Sequence, residues 1–218
     1  MWDPLMLELA GEGFRCVAFD QRGYSPGAAP DTPAAYHYDK LRSDIFAVAS
    51  ACGFERFHLV GHDHGALLGW YAAGSEQGKR LLISYTSLSI PHPDAFSQGL
   101  LGEHADFQQQ VAVQYFTMFV MPGSASRCCG LLHNSMGRAT GFKSREALQK
   151  ALWWYNGVFD AGVLSMPPLL SASRLLCEGR HPLMALLRCI FGGTPDEGKQ
   201  QANTIGEITV PVLYAIGE

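Results

Sequence analysis

The stretch HLVGHDHGALLGW, residues 58–70, runs from an apolar strand-like segment through an acid bracketed by glycines into an apolar helix-like segment. A strand, a tight turn and a helix in that order hold the central side chain exposed above a sheet, the arrangement of a nucleophile elbow. In Gly61-His62-Asp63-His64-Gly65 the glycines lack Cβ atoms, so strand and helix can approach closely and crowding around a strained central residue is relieved. The central residue is Asp63. A carboxylate beside a helix N-terminus is favoured in its ionised form by the dipole and the free N–H groups. Ionised Asp is a covalent nucleophile toward an electrophilic carbon. The alternative is that Asp63 caps the helix over 66–74, as Asp does well. Capping by itself calls for neither the two glycines nor the apolar strand before them.

Outward from the elbow, strand and helix alternate. Asp3-Pro4 reads as a helix start, with the carboxylate as cap and Gly11 and Gly13 as the stop. FRCVAFD (14–20) reads as a buried parallel strand feeding the turn QRGYSPGAAP. Asp39 is placed to cap LRSDIFAVASAC, which presents Leu41, Ile45, Phe46, Val48 and Ala49 on roughly one face and stops at Gly53. The strand RFHLVG, the helix ALLGWYAAG and the strand LLISYTSLSI follow. Such alternation implies an α/β fold with a parallel sheet and helices on both faces. From about Phe96 to Gly206 the pattern turns helical, through VAVQYFTMFVM, REALQKALWWYNGVF and PLMALLRCIF, before TVPVLYAIGE (209–218) returns to buried-strand character. The expected division is a core over 1–96, a helical cap over 97–206 and a core strand resuming over 207–218.

Composition narrows the function classes. The 218 residues can bury one sizeable core. Hydrophobic residues at 47% and charged ones at 17% exclude a solvated disordered chain. A net charge of −4 with no basic cluster predicts neither a nucleic-acid nor an anionic-membrane partner. No apolar run reaches the roughly 18–20 residues of a membrane span, and the N-terminus lacks a leader pattern, so a cytoplasmic location is expected. The six cysteines, among them Cys16, Cys52 and the adjacent Cys128 and Cys129, lack CxxC spacing. They read as reduced, mostly buried thiols. His and Cys spacing implies no metal, and no organic cofactor is expected.

The pieces GHDHG (61–65), FDQRGYSPG (19–27) and SIPHP (89–93) together resemble the α/β-hydrolase fold, and within it the branch of epoxide hydrolases and haloalkane dehalogenases. The resemblance implies that Asp63 attacks carbon to give an alkyl-enzyme ester. It implies that the backbone N–H of His64 serves an oxyanion hole, and that His62 and His92 buttress the site. In dehalogenases of this branch a Trp often follows the nucleophile and holds the halide, whereas position 64 here is His. In epoxide hydrolases two cap tyrosines bind the ring oxygen, and Tyr115 in VQYFTMF and Tyr155 in ALWWYNG resemble them. Phenols suit that task because they donate strong hydrogen bonds to developing negative charge. Packing of Tyr115 and Tyr155 as ordinary helical aromatics is the competing reading. The family's usual Arg after the second tyrosine is Asn156 here.

In the resembling enzymes an acid and a histidine later in the chain hydrolyse the ester, and an H-G-x-P loop upstream supplies the second oxyanion donor. Neither the acid–histidine pair nor that loop is found, Glu218 being near the acid's place without being it. The expectation is therefore a fragment of a hydrolase that is inactive or completes a single turnover. A small hydrophobic substrate and epoxide chemistry are expected. The alternatives are a dehalogenase-like hydrolase and a non-catalytic binding module on the same fold. A plain esterase would place Ser at the elbow.

Overall fold

The computed structural model describes residues 1–103, 105–113, 115–120, 144–160 and 205–215. Its sheet has three parallel strands in the order β1 (Phe57–His62), β2 (Leu82–Leu88) and β3 (Val212–Ala215). Between β1 and β2 the chain crosses through α3 (His64–Ala73) and the short α4 (Glu76–Leu81), as parallel pairing requires. Leu59 lies opposite Tyr85 and Gly61 opposite Ser87, all turned to the covered side, while His58 and Val60 face out. Helix α3 buries Ala66 through Ala73 without a break, which explains its all-round apolar sequence.

Helix α2 (Tyr38–Ala51) packs on α3 through Leu41, Ile45 and Phe46. Beyond β2 the described chain is helical, in α5 (Pro93–Leu101), α6 (Phe107–Ala112), α7 (Tyr115–Val120) and α8 (Arg145–Asp160). One apolar cluster joins Tyr36, Tyr38 and Leu41 with Leu67 and Leu68 of α3 and with Trp154, Val158 and Phe159 of α8. Helices α2, α3 and α8 thus share one apolar cluster.

Several expectations change. Residues 14–20 form no strand and stand mostly in solvent, with Phe14 52%, Val17 44% and Phe19 38% exposed. Apolar character becomes a buried strand only where a neighbour completes the ladder, and no described residue pairs with this segment. Strand β3 does pair, with Tyr85 through Leu88, yet its four residues are exposed because it is the edge of the described sheet. Helix α1 (Asp3–Gly11) buries none of its residues. Asp3 is the first residue of α1 and makes no cap hydrogen bond. The cap of α2 is His37, whose Nδ1 accepts from the Asp39 N–H at 3.3 Å, and Gly53 (φ 74°) ends the helix as expected. The helix expected over 111–121 is broken, with α6 ending before Val113. Cys16 and Cys52 are free and half-buried. The helix expected at 182–191, Cys128, Cys129 and Glu218 lie outside the described residues.

Candidate active site

Strand β1 delivers the chain to Asp63, which adopts φ 52° and ψ −126°, and α3 starts at the next residue. A non-glycine residue in such a conformation costs about 1–3 kcal/mol and persists only where its surroundings impose it. Gly61 is part of that imposition. A Cβ at Gly61 would stand 2.5 Å from the Gly65 carbonyl oxygen and 2.8 Å from the Ala66 Cα, so strand end and helix start touch through a glycine. At Gly65 the nearest atom to an added Cβ is Gln21 Nε2 at 3.5 Å, an ordinary contact. The first glycine is therefore required by close approach, and the second is the surface it approaches.

The Asp63 carboxylate makes no cap hydrogen bond and is exposed. The main-chain oxygen of Asp63 accepts from the N–H groups of Ala66 (2.9 Å) and Leu67 (3.0 Å), so the turn closes without the side chain. His64 opens the helix, where backbone N–H groups have no carbonyl a turn below them.

Around Asp63 stand four phenols. Burial raises the hydroxyl pKa of Tyr24 and of Tyr38, and the Asp63 charge raises both further. Tyr115 is raised by burial and then by Asp63, against a hydrogen bond with Tyr155 that lowers it. Tyr155 is pushed up as well, by burial first, then by Tyr115 and then by Asp63. The Tyr115 and Tyr155 rings meet edge-on, with centroids 6.2 Å apart. All four remain protonated donors at neutral pH. Burial lowers the His64 imidazole to about 4, against the Asp63 charge, so the ring is neutral there. Its Nδ1 meets the Tyr38 hydroxyl at 3.4 Å, and its ring lies edge-on to Tyr155 at 4.2 Å and to Trp154 at 5.9 Å.

Side-chain bonds hold the cap helix over this cluster. Trp154 Nε1 donates to the Arg22 carbonyl at 2.7 Å. Arg22 in turn grips Asp44 with two bonds, Nε to Oδ2 at 2.8 Å and Nη2 to Oδ1 at 2.7 Å, and donates Nη1 to the Ala35 carbonyl at 2.9 Å. Lys150 of α8 reaches Asp31 at 2.5 Å. Asn156 donates Nδ2 to the Val120 carbonyl at 3.3 Å and ties α8 to the end of α7.

Of the residues read from sequence, Asp63, His64, Tyr155 and Tyr115 converge. His62 is half-buried at the end of β1, in register with Leu88. His92 caps α5, its Nδ1 accepting from the Asp94 N–H at 3.2 Å, and packs on Trp70 at 5.2 Å. Tyr24, Tyr38 and Trp154 join the site without having been singled out. Their signals were faint: an aromatic inside RGYSPG, another at a helix start, and the second Trp of LWWYNG. Among the described residues no group of three or more His, Cys, Asp or Glu is placed to hold a metal, and no helix is long and apolar enough to cross a membrane.

Known proteins are similar to this chain. The alpha/beta hydrolase fold family matches residues 1–160. Mouse "Epoxide hydrolase 4" is 27% identical over 172 residues, covering 76% of this chain and 47% of that protein. Caenorhabditis elegans "Epoxide hydrolase 1" is 32% identical over 108 residues, covering 50% of this chain and 26% of that protein. The chain spans about half the length, or less, of these curated relatives. A solved structure described as "Novel epoxide hydrolases belonging to the alpha/beta hydrolases superfamily in metagenomes from hot environments" superposes with a TM-score of 0.66 at 24% identity, over 99% of this chain and 68% of that one. An inhibitor-bound Bacillus megaterium epoxide hydrolase gives 0.57 at 24% identity, over 76% of this chain and 63% of that one. At that identity the two structures speak for the fold. Because the family match runs through most of the chain and has the Gly-bracketed elbow within it, this protein belongs to the α/β-hydrolase fold family.

Proposed function

We propose that the protein opens epoxides through a covalent ester on Asp63. An Asp63 carboxylate oxygen forms a bond to an epoxide carbon while the ring C–O bond breaks, and the departing oxygen takes a proton from the Tyr155–Tyr115 pair. Water then cleaves the ester, so that epoxide and water become a diol. The observation that carries the reading is the pair of adjacent phenols, Tyr115 and Tyr155, both feeling the charge of an Asp63 whose side chain caps nothing. Phenol donors beside a developing alkoxide are worth more in an aromatic surround than in water. Phe116 and Phe119 pack on Tyr155 at 5.3 and 4.8 Å, which suits a small apolar epoxide. The epoxide hydrolases among the relatives support the same reading.

Hydrolysis of the ester needs a base. Among the described residues the His–carboxylate pairs are His37 with Asp39 and His92 with Asp94, and each sits at a helix start. On this reading the ester lives long enough to be weighed. Intact-mass spectrometry after incubation with styrene oxide tests this: one adduct of the epoxide's mass is expected, lost in Asp63→Asn. A folded chain without adduct would favour a non-catalytic binding module, and sustained diol production would show that the base lies within the 218 residues.

A further inference from the structure

Resting on that reading, we infer that His64, braced by Tyr38, is the positioning residue that fixes the Tyr155 phenol over Asp63. Tyr155 extends from α8, whereas Asp63 belongs to a turn nearly a hundred residues earlier, so their spacing depends on whatever touches both. Ring contacts to Tyr155 come from Phe116, Phe119 and Tyr115 on α7 and from His64. His64 is the nearest, at 4.2 Å and 87°, and it alone among these is bonded directly to the nucleophile's own backbone.

The imidazole is itself held. Tyr38 is fully buried at the start of α2, packed against Tyr71 at 5.9 Å and Trp154 at 6.3 Å, so its hydroxyl cannot wander. That hydroxyl shares a hydrogen bond with His64 Nδ1 at 3.4 Å, and the edge contact to Trp154 bounds the ring on another side. The result is a strut from the core, through the elbow, to the cap phenol. Because the ring stays neutral across the neutral range, the strut has a single protonation state there. A strut of this kind raises the rate of ring opening without adding a contact to substrate, since placement of a donor by even a fraction of an ångström is felt in the transition state.

The test is the rate of styrene oxide adduct formation by the full 218-residue chain, as a double-mutant cycle. Tyr38→Phe removes only the hydroxyl. It is expected to lower the saturating rate about 10-fold and leave the half-saturating concentration unchanged, as loss of a transition-state interaction does. His64→Phe keeps a ring against Tyr155 but loses the bond to Tyr38, and should behave alike; it carries the test if Tyr38→Phe does not fold. In a Tyr155→Phe background both substitutions should have no further effect, because the group they position is gone. An equal loss in both backgrounds, or a wild-type rate in both single variants, would overturn the inference. If Tyr155→Phe alone labels at the wild-type rate, the phenol's own role fails and this inference fails with it.

Discussion

The Asp63 turn and helix α8 are held by different means. At the turn the backbone does the holding: ladder pairing delivers β1, Gly61 lets the chain fold onto the start of α3, and Asp63 is forced into φ 52° with its side chain left out. At the helix the holding is by side chains: the Trp154 indole on Arg22, Lys150 on Asp31, Asn156 on Val120 and a stack of rings around Tyr155. An arrangement of this kind keeps Asp63 rigid while the phenols around it depend on packing that individual substitutions can loosen. His64 belongs to both halves, since its backbone starts α3 and its ring touches α8.

Substitutions that separate the two kinds of support should differ in size and in sign. Gly61→Ala should do most damage, because the new methyl meets backbone that cannot yield. A loss of about 3 kcal/mol is expected in urea unfolding, together with loss of adduct formation. A change in pH acts on the joint between the halves. The His64 pKa is lowered from 6.5 to about 4 in the folded chain, so the unfolded chain binds the extra proton between those values. His64 therefore contributes its full stability above pH 6.5 and loses it as pH falls toward 4. The expected loss is about 2 kcal/mol, solvent contact at the half-buried ring keeping it below the full value. Unfolding curves of the wild type should show it and those of His64→Phe should not.

Trp154→Phe removes the bond to the Arg22 carbonyl while leaving most of the ring. It should cost about 1 kcal/mol and slow adduct formation without abolishing it. Abolition would mean that the cap, like the elbow, tolerates no loosening. Asp63→Gly should change stability least and in the opposite direction. Relief of the positive φ is expected to stabilise the chain by about 0.5–1 kcal/mol, while labelling disappears. A destabilised Asp63→Gly would mean that the carboxylate has a structural bond after all.

The elbow was legible because its requirements are local. Glycines two residues either side of an acid, an apolar run before and an apolar run after state a geometry that β1, Asp63 and α3 then adopt. Tyr155 was found by its resemblance to the family's cap tyrosine, whereas Tyr38 and Tyr24 reached the site from a helix start and a turn that carry no such pattern. Segment 14–20 shows the converse. Its residues are as strand-like as those of β1, yet pairing depends on a neighbour, and a sequence run does not reveal whether one is there. The same holds for helix ends: Asp39 is the better cap by residue type, but the turn presents His37, and Asp39 instead accepts from the Tyr71 hydroxyl at 2.7 Å.

By itself, then, the sequence determined what short-range sterics and residue chemistry can determine: an α/β chain, a turn only Gly61 permits, and an acid at its apex. Tertiary structure decided which phenols face that acid, that a histidine beside it is neutral and touches the cap, and which apolar runs are covered. The reason is physical. Backbone conformation responds to residues a few positions away, whereas burial, charge and hydrogen-bond partnership depend on atoms brought from tens of residues away, and Trp154 reaching the Arg22 carbonyl across 132 positions is the plainest instance.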